Sequence, residues 1–261
     1  MKFDEIDAKL RVFETSHDHC VLPGVFMVAR LDGRGFTRLT KEVLDLERPF
    51  DVRFRDAMLA TVEHLMSCGF RVVYGYSESD EISLLFHLDE NAFGRKLRKL
   101  HSVLAGEASA KLSLTLGRLA AMDCRISQLP TEKLVVDYFR WRQADAHRNA
   151  LSAHCYWALR REGLSAAQAT SRLRSLTVAD KNELLLQRGV RFDALPAWQK
   201  RGVGAYFERV TRAGVNPKTG ETTTARRRVL AIDAELPFGA DYDAFVEGRV
   251  RDARAEDEPG T

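Results

Sequence analysis

Long apolar runs are missing from this chain of 261 residues: none approaches the roughly 20 residues that a membrane helix needs. The opening Met1-Lys2-Phe3-Asp4-Glu5 likewise lacks the basic segment and apolar stretch of a secretory signal, so a cytoplasmic protein with no membrane partner is the expectation. Cysteine is scarce, with Cys20, Cys68, Cys124 and Cys155 far apart and no C-x-x-C pair. That spacing argues against a zinc ribbon or a disulfide framework and predicts small, reduced, buried thiols. An excess of one charge is also absent: 40 Lys and Arg against 37 Asp and Glu leave a net charge of +3. Partners must therefore be inferred from where charge gathers rather than from its total. Internal repeats and low-complexity linkers are lacking too.

What is present, 45% hydrophobic and 30% charged residues, suits one substantial core plus an elaboration, or two small domains. Val25 to Leu31 reads as a buried strand and Phe54 to Met66 as a helix ended by Gly69. Phe70 to Tyr76 and Ile82 to Leu88 are β-branched and aromatic runs joined by the polar Ser77-Glu78-Ser79-Asp80, the pattern of an antiparallel pair. Phe93 to Leu116 has helical spacing, and Ala120 to Leu129 reads as a strand closed by Pro130. The order β-α-β-β-α-β predicts an α+β, ferredoxin-like antiparallel sheet over residues 1–130, with strands one and three adjacent and strand four flanking strand one.

Residues 131–261 are predicted to form a mainly helical and basic part packed on the first. Thr131 to Arg161 reads as one helix or two, Ser165 to Ser175 as a helix capped by Ser165, and Asp180 to Gln187 continues that character. Lys200 to Arg228 holds eight Lys or Arg against two Asp or Glu around the turn-like Asn216-Pro217-Lys218-Thr219-Gly220, and Glu256 to Thr261 reads as a frayed tail.

In that topology the end of the first strand, at Asp32, meets the start of the third, at Asp80 and Glu81, and the start of the fourth brings Asp123 toward the same end. A hydroxyl attacking phosphorus develops charge on the entering and leaving oxygens, and two Mg²⁺ ions roughly 4 Å apart neutralise both. Two carboxylates with waters, phosphates and a backbone carbonyl suit Mg²⁺, and Gly33 and Gly35 let the backbone approach phosphates. Asp32-Gly33-Arg34-Gly35 or Ser79-Asp80-Glu81 alone reads as readily as a solvated turn; their convergence favours a metal site.

The remaining motifs are more ambiguous. Arg95, Lys96, Arg98 and Lys99 open the second helix, where they meet a triphosphate or solvate an exposed face. Arg226, Arg227 and Arg228, with Lys200 and Arg201, track an RNA backbone or form a charged surface. His17-x-His19-Cys20 lacks a fourth ligand and reads as loop. Trp141, Tyr156 and Trp157 read as core or interface anchors, while His147, four residues from Gln143 on one helix face, invites a catalytic or RNA-contact reading.

Taken in order, Arg30-Leu31-Asp32-Gly33-Arg34-Gly35-Phe36, Gly75 to Ser83, Trp141 to Asn149, Asp180-Lys181-Asn182-Glu183-Leu184, and Arg227-Arg228 followed by Leu236-Pro237 resemble the tRNA-His guanylyltransferases and their bacterial and archaeal 3′-to-5′ polymerase relatives. The resemblance covers most of the chain. It implies a polymerase-type palm, with two Mg²⁺ held by Asp32, Asp80 and the carbonyl of Gly33, and with Glu81 supporting them. It implies that Arg34, Gly35, Phe36, Thr37 and Ser79 line a bound nucleotide, that Lys96 and Lys99 contact triphosphate oxygens, and that His147, Asn149, Lys181 and Asn182 serve activation or RNA placement. The implied chemistry activates a tRNA 5′-monophosphate with ATP, lets the 3′-hydroxyl of an incoming nucleoside triphosphate attack the activated end, and then removes pyrophosphate.

Eukaryotic members carry His-Ile-Asn-Asn-Leu-Tyr-Asn where this chain keeps only His147, Asn149 and Leu151, and the extended Tyr76 to Asp80 hairpin resembles the bacterial form. The leading expectation is therefore template-dependent addition of nucleotides to tRNA 5′ ends, with ATP and GTP as substrates and a homotetramer as the assembly. Addition of a single G to tRNA-His is the alternative. A palm-like nucleotide-binding regulator without RNA chemistry is the rival from another class.

Overall fold

A computed structural model describes residues 2–215 and 222–255. After helix α1 (Phe3–Thr15) come strand β1 (Phe26–Gly33), the short α2 (Phe36–Arg38) running into a π-turn at Leu39–Val43, and α3 (Val52–Leu65). The hairpin β2 (Val72–Glu78) and β3 (Glu81–Phe86), helix α4 (Leu97–Leu116) and strand β4 (Met122–Leu129) complete the β-α-β-β-α-β unit. The strands order as β4-β1-β3-β2, all antiparallel, as the alternation of apolar runs required.

Side chains alternate across these strands, so each face of the sheet has its own core. Met27, Ala29 and Leu31 of β1 and Ile82, Leu84 and Phe86 of β3 lie under α3 and α4. Phe26, Val28, Tyr74, Tyr76 and Leu85 face the other way, toward two helices of the second half, α5 (Glu132–Arg161) and α9 (Ala240–Ala255), described below.

The second half is mainly helical, as expected, but adds two strands that were not anticipated. α5 is one uninterrupted helix of 30 residues, capped by Thr131, whose hydroxyl accepts from the Leu134 amide. α6 (Ala166–Arg174), capped by Ser165, and α7 (Val178–Leu186) pack against its far end, and the short α8 (Ala197–Arg201) follows. Strands β5 (Val203–Val215) and β6 (Thr222–Asp233) then form a long hairpin that joins the open edge of β2 and widens the sheet to six strands. Gly204 permits the approach: a Cβ there would stand 2.9 Å from Leu236 and 3.1 Å from the Tyr74 ring. The density of arginine hid this hairpin, because Arg227 and Arg228 occupy exposed strand positions. The Asn216 to Gly220 turn, the Arg226 side chain and the Glu256 to Thr261 tail lie outside the described residues.

Two local expectations are corrected. The helix anticipated from Phe93 starts at Leu97, because Phe93, Gly94 and Arg95 all take positive φ. There the buried Arg95 guanidinium donates to the carbonyls of Val21, Leu88 and Glu90 at 3.0–3.2 Å, tying the approach to β1 to the exit of β3. Of the thiols only Cys155 is buried; Cys68 and Cys124 are half-buried and Cys20 is exposed. Among the described residues no helix is long and apolar enough to cross a membrane.

Candidate active site

Register brings the acids together. Asp32 stands opposite Glu81 on β3 and opposite Asp123 on β4, and Glu78 pairs with Glu81 to close the β2–β3 hairpin. The tip of that hairpin is tight: Ser79 takes φ 49°, an uncommon conformation for a residue with a side chain and one that clusters at functional sites. The Gly33 amide donates to the Asp80 carbonyl at 3.1 Å, and the Arg34 amide donates to Ala121 at 2.9 Å. Glycine is required at position 33, where a Cβ would lie 2.4 Å from the Phe36 ring, and at position 35, where φ is +72°.

Asp32 and Asp80 line one cavity of about 740 Å³, within the range of cofactor and substrate pockets. Burial raises the Asp80 pKa above the ordinary carboxylate value, and the neighbouring charge of Asp32 raises it further. Beside them Glu78, on the same cavity, is pushed up to about 8 by burial first and by Glu81 second. Glu81 is also raised, by its burial. Against these carboxyls stands the buried Arg142 of α5, whose Nε and Nη2 donate to Glu81 at 2.6 and 2.9 Å and whose Nη2 reaches Glu78 at 2.8 Å. Negative charge is in excess here, which is the electrostatic condition for holding a cation.

Beyond the carboxylates the cavity opens into a wing between the Thr37–Arg55 segment and helices α5 and α8. Three cations lie over aromatic rings there: Lys41 over Tyr156 at 5.4 Å, Arg48 over Trp157 at 5.4 Å and Arg55 over Trp198 at 4.8 Å. Tyr156 and Trp157 line the cavity, and Tyr156 also packs against the core that α5 shares with α6 and α7, while Trp141 is exposed, under the guanidinium groups of Arg30 and Arg142. These rings pair with basic residues far away in sequence, which no local pattern displays.

Asp32, Phe36, Thr37, Ser79, Asp80, Glu81 and Asn149 all line the cavity; Gly33, Arg34 and Gly35 form the turn beneath it. Lys181 reaches it indirectly, its Nζ donating to the cavity-lining Ser152 hydroxyl at 3.0 Å. Asn182 turns back to the Val178 carbonyl of its own helix. His147 sits between Phe192 and Phe238, off the cavity, and burial lowers its pKa.

Lys96 and Lys99 are not brought to the carboxylates within this protomer. β3 runs away from Asp32, so α4 begins at the far end of the sheet, about 30 Å of helix from its own return. There Lys96 pairs with Asp18 at 3.1 Å, and Arg98 pairs with the same carboxylate. Arg227 and Arg228 lie on the exposed hairpin. Asp123 has the expected register but is exposed and bonded to Arg125 at 3.1 Å.

Comparison with known proteins agrees with this geometry. The model of the tRNAHis guanylyltransferase family matches residues 7–132, and that of the Thg1 C terminal domain matches residues 133–235. The chain is 34% identical over 203 residues to a probable tRNA(His) guanylyltransferase of Drosophila melanogaster, spanning 74% of this chain and 71% of that protein. It is 30% identical to the tRNA(His) guanylyltransferase of Debaryomyces hansenii, spanning 70% of this chain and 73% of that protein. A solved bacterial tRNA(His) guanylyltransferase (Thg1)-like protein in complex with ATP superposes with a TM-score of 0.73 at 26% identity, covering 94% of this chain and 98% of that one. A GTP complex of such a protein gives 0.70 at 25% identity, covering 95% and 99%. With both family models matched in order and the paired acids lying in one cavity, the chain belongs to the tRNA(His) guanylyltransferase family of nucleotidyltransferases.

Proposed function

We propose that the protein is a Mg²⁺-dependent 3′-to-5′ nucleotidyltransferase that adds nucleotides to tRNA 5′ ends, the added base being chosen by the opposite strand. The observation that carries the reading is the convergence of Asp32 and Asp80, distant in sequence, on one cavity in which the charge of Asp32 makes ionisation of Asp80 harder. The donor set fits a hard cation. Two carboxylates and a nearby backbone carbonyl offer only oxygen, and among the described residues no group of three or more His, Cys, Asp or Glu side chains forms a metal cage. Mg²⁺ is ordinarily held this way, by one or two carboxylates with substrate phosphates completing its shell.

Asp32, Asp80 and the Gly33 carbonyl would hold the ions, which when bound neutralise charge on the entering and leaving oxygens of the phosphoryl group. The chain's own groups do the remaining work. Thr37 and Ser79, which line the cavity, would offer hydroxyls to a bound nucleotide, and Phe36, seated over Gly33, shapes its wall. Lys41, Arg48 and Arg55 supply positive charge for phosphates, and Tyr156, Trp157 and Trp198 supply flat faces for bases. The ATP and GTP complexes of the bacterial relatives support a nucleotide in this cavity.

The test uses labelled 5′-monophosphorylated tRNA lacking its first nucleotide, incubated with protein, Mg²⁺ and each nucleoside triphosphate in turn. Templated addition predicts that the product follows the partner base. Incorporation of G alone, and only on tRNA-His, would favour the second reading, which the names of the relatives support. Binding of GTP without any tRNA shift at moderate salt would instead point to a nucleotide-binding regulator.

A homotetramer is part of the proposal. α1 buries none of its residues and exposes Phe3, Ile6, Leu10 and Phe13 along one side, a stripe that contact with another copy would cover. Sedimentation equilibrium gives the stoichiometry.

A further inference from the structure

We propose that Arg142 is a positioning residue of this reaction: it ties the β2–β3 hairpin to α5 and thereby sets where the Asp80 carboxylate points relative to Asp32. The inference rests on the metal-site reading above and concerns what aims that site.

Arg142 meets both ends of the tight turn that carries Asp80. Its Nη2 donates to Glu78 at 2.8 Å on one side and to Glu81 at 2.9 Å on the other, while Nε holds the second Glu81 oxygen at 2.6 Å. The two carboxylates flank Ser79 and Asp80 in sequence, and Glu81 is the register partner of Asp32. One guanidinium therefore spans the base of the loop and the strand position beside the other acid. Among the described contacts none joins Arg142 to Asp80 or Asp32, so any influence passes through the hairpin.

The grip is directional. A guanidinium is planar and offers its donors in a fixed fork, so a two-point bond to Glu81 sets orientation as well as distance, which the point charge of lysine cannot do. The fork is itself aimed. Asp145, one turn along α5, accepts from Nη2 at 3.1 Å, and the Trp141 ring lies 4.7 Å from the guanidinium carbon. Arg30 lies over the same ring at 5.6 Å, with its Nε 4.0 Å from Glu81.

Such an arrangement is a poor way to gain stability, since buried ion pairs often contribute no more than apolar residues of the same volume. It is a good way to prevent a strained, like-charged loop from swinging its carboxylate away from its neighbour. The turn needs such restraint: Ser79 is held at positive φ, and its neighbour Asp80 lies on one cavity with the carboxylate of Asp32.

The experiment compares wild type, Arg142→Lys and Arg142→Gln in three measurements: Mn²⁺ binding followed by electron paramagnetic resonance, the Mg²⁺ concentration for half-maximal nucleotide addition, and thermal melting in EDTA. Loss of an outer partner of a metal site ordinarily weakens metal affinity by about 10- to 100-fold. Arg142→Lys is expected to melt near wild type, to bind Mn²⁺ about tenfold more weakly, and to need correspondingly more Mg²⁺; Arg142→Gln is expected to show a larger shift. Folded variants with unchanged Mn²⁺ affinity and Mg²⁺ requirement would overturn the proposal.

So would failure of Arg142→Lys and of the charge-reduced Arg142→Lys/Glu78→Gln to fold at all, which would assign Arg142 to scaffolding alone. Asp80→Asn serves as the control. If it leaves Mn²⁺ binding intact, the metal reading itself fails; if it abolishes binding while the Arg142 variants do not weaken it, only the positioning role fails.

Discussion

The Gly33 amide donates a hydrogen bond to the Asp80 carbonyl at 3.1 Å, joining the two acidic segments through their backbones as well as their proposed cation. The hairpin tip cannot move without disturbing the end of β1. That coupling makes substitutions on either side informative about the other.

Asp80→Asn separates function from stability. The wild-type carboxylate is half-buried beside Asp32, and its pKa is raised, so removing its charge relieves a repulsion in the cation-free protein. The variant is expected to melt at or above the wild-type temperature in EDTA while losing about 10³-fold or more in the rate of nucleotide addition, several kcal/mol of transition-state stabilisation. Single-turnover kinetics and calorimetry read the two effects; a fully active variant contradicts the site.

The acidic cluster also sets a slope of stability against pH. Glu78 sits at about 8 in the folded protein against an ordinary 4.5, and Glu81 and Asp80 are raised as well. Between the unfolded and folded values the folded state holds protons that the unfolded chain has released, so stability falls as pH rises. The cation-free protein should therefore lose melting temperature from about pH 4.5 to about 8 and level off above, and Glu78→Gln should flatten the curve. A melting temperature that climbs across this window in EDTA is the contrary result.

Gly33→Ala tests the floor of the site. The added methyl would start 2.4 Å from the Phe36 ring, so the ring or the strand end must shift. Overpacking of this kind costs about 1–3 kcal/mol, visible in urea unfolding, and displacement of Phe36 should raise KM for the nucleotide. Wild-type values on both counts would show that the ring is free to move.

Trp157→Ala and Arg48→Ala probe the wing. Stacking of a base on an aromatic ring is worth about 1–3 kcal/mol, so the tryptophan variant should raise KM for tRNA about tenfold with little change in melting temperature. The arginine variant should in addition make tRNA binding less sensitive to salt, by loss of one phosphate contact. Gel shifts at graded salt distinguish the two.

The palm was legible because its strands alternate and its helices repeat, so topology alone carried Asp32 to Glu81 and to Asp123. Topology could not report side-chain direction, and Asp123 turned out to face solvent and Arg125. The motif resemblance implies triphosphate contacts for Lys96 and Lys99, but the direction of α4 carries them to the other end of the sheet, where Lys96 pairs with Asp18. The role of Arg142 is invisible in the sequence, because its partners Glu78 and Glu81 lie 64 and 61 positions earlier. The β5–β6 hairpin escaped because its alternating pattern is interrupted by arginines that face water on both strands.

That hairpin ties together two stretches that separate family models describe. β2 has β3 on one side and β5 on the other, and the second face of the sheet is roofed by α5 and α9. A fragment ending near residue 132 would keep both proposed metal-binding acids yet present a bare strand border and an uncovered apolar plane. Expressed by itself it should aggregate, and mixing it with the complementary fragment should restore solubility before it restores chemistry.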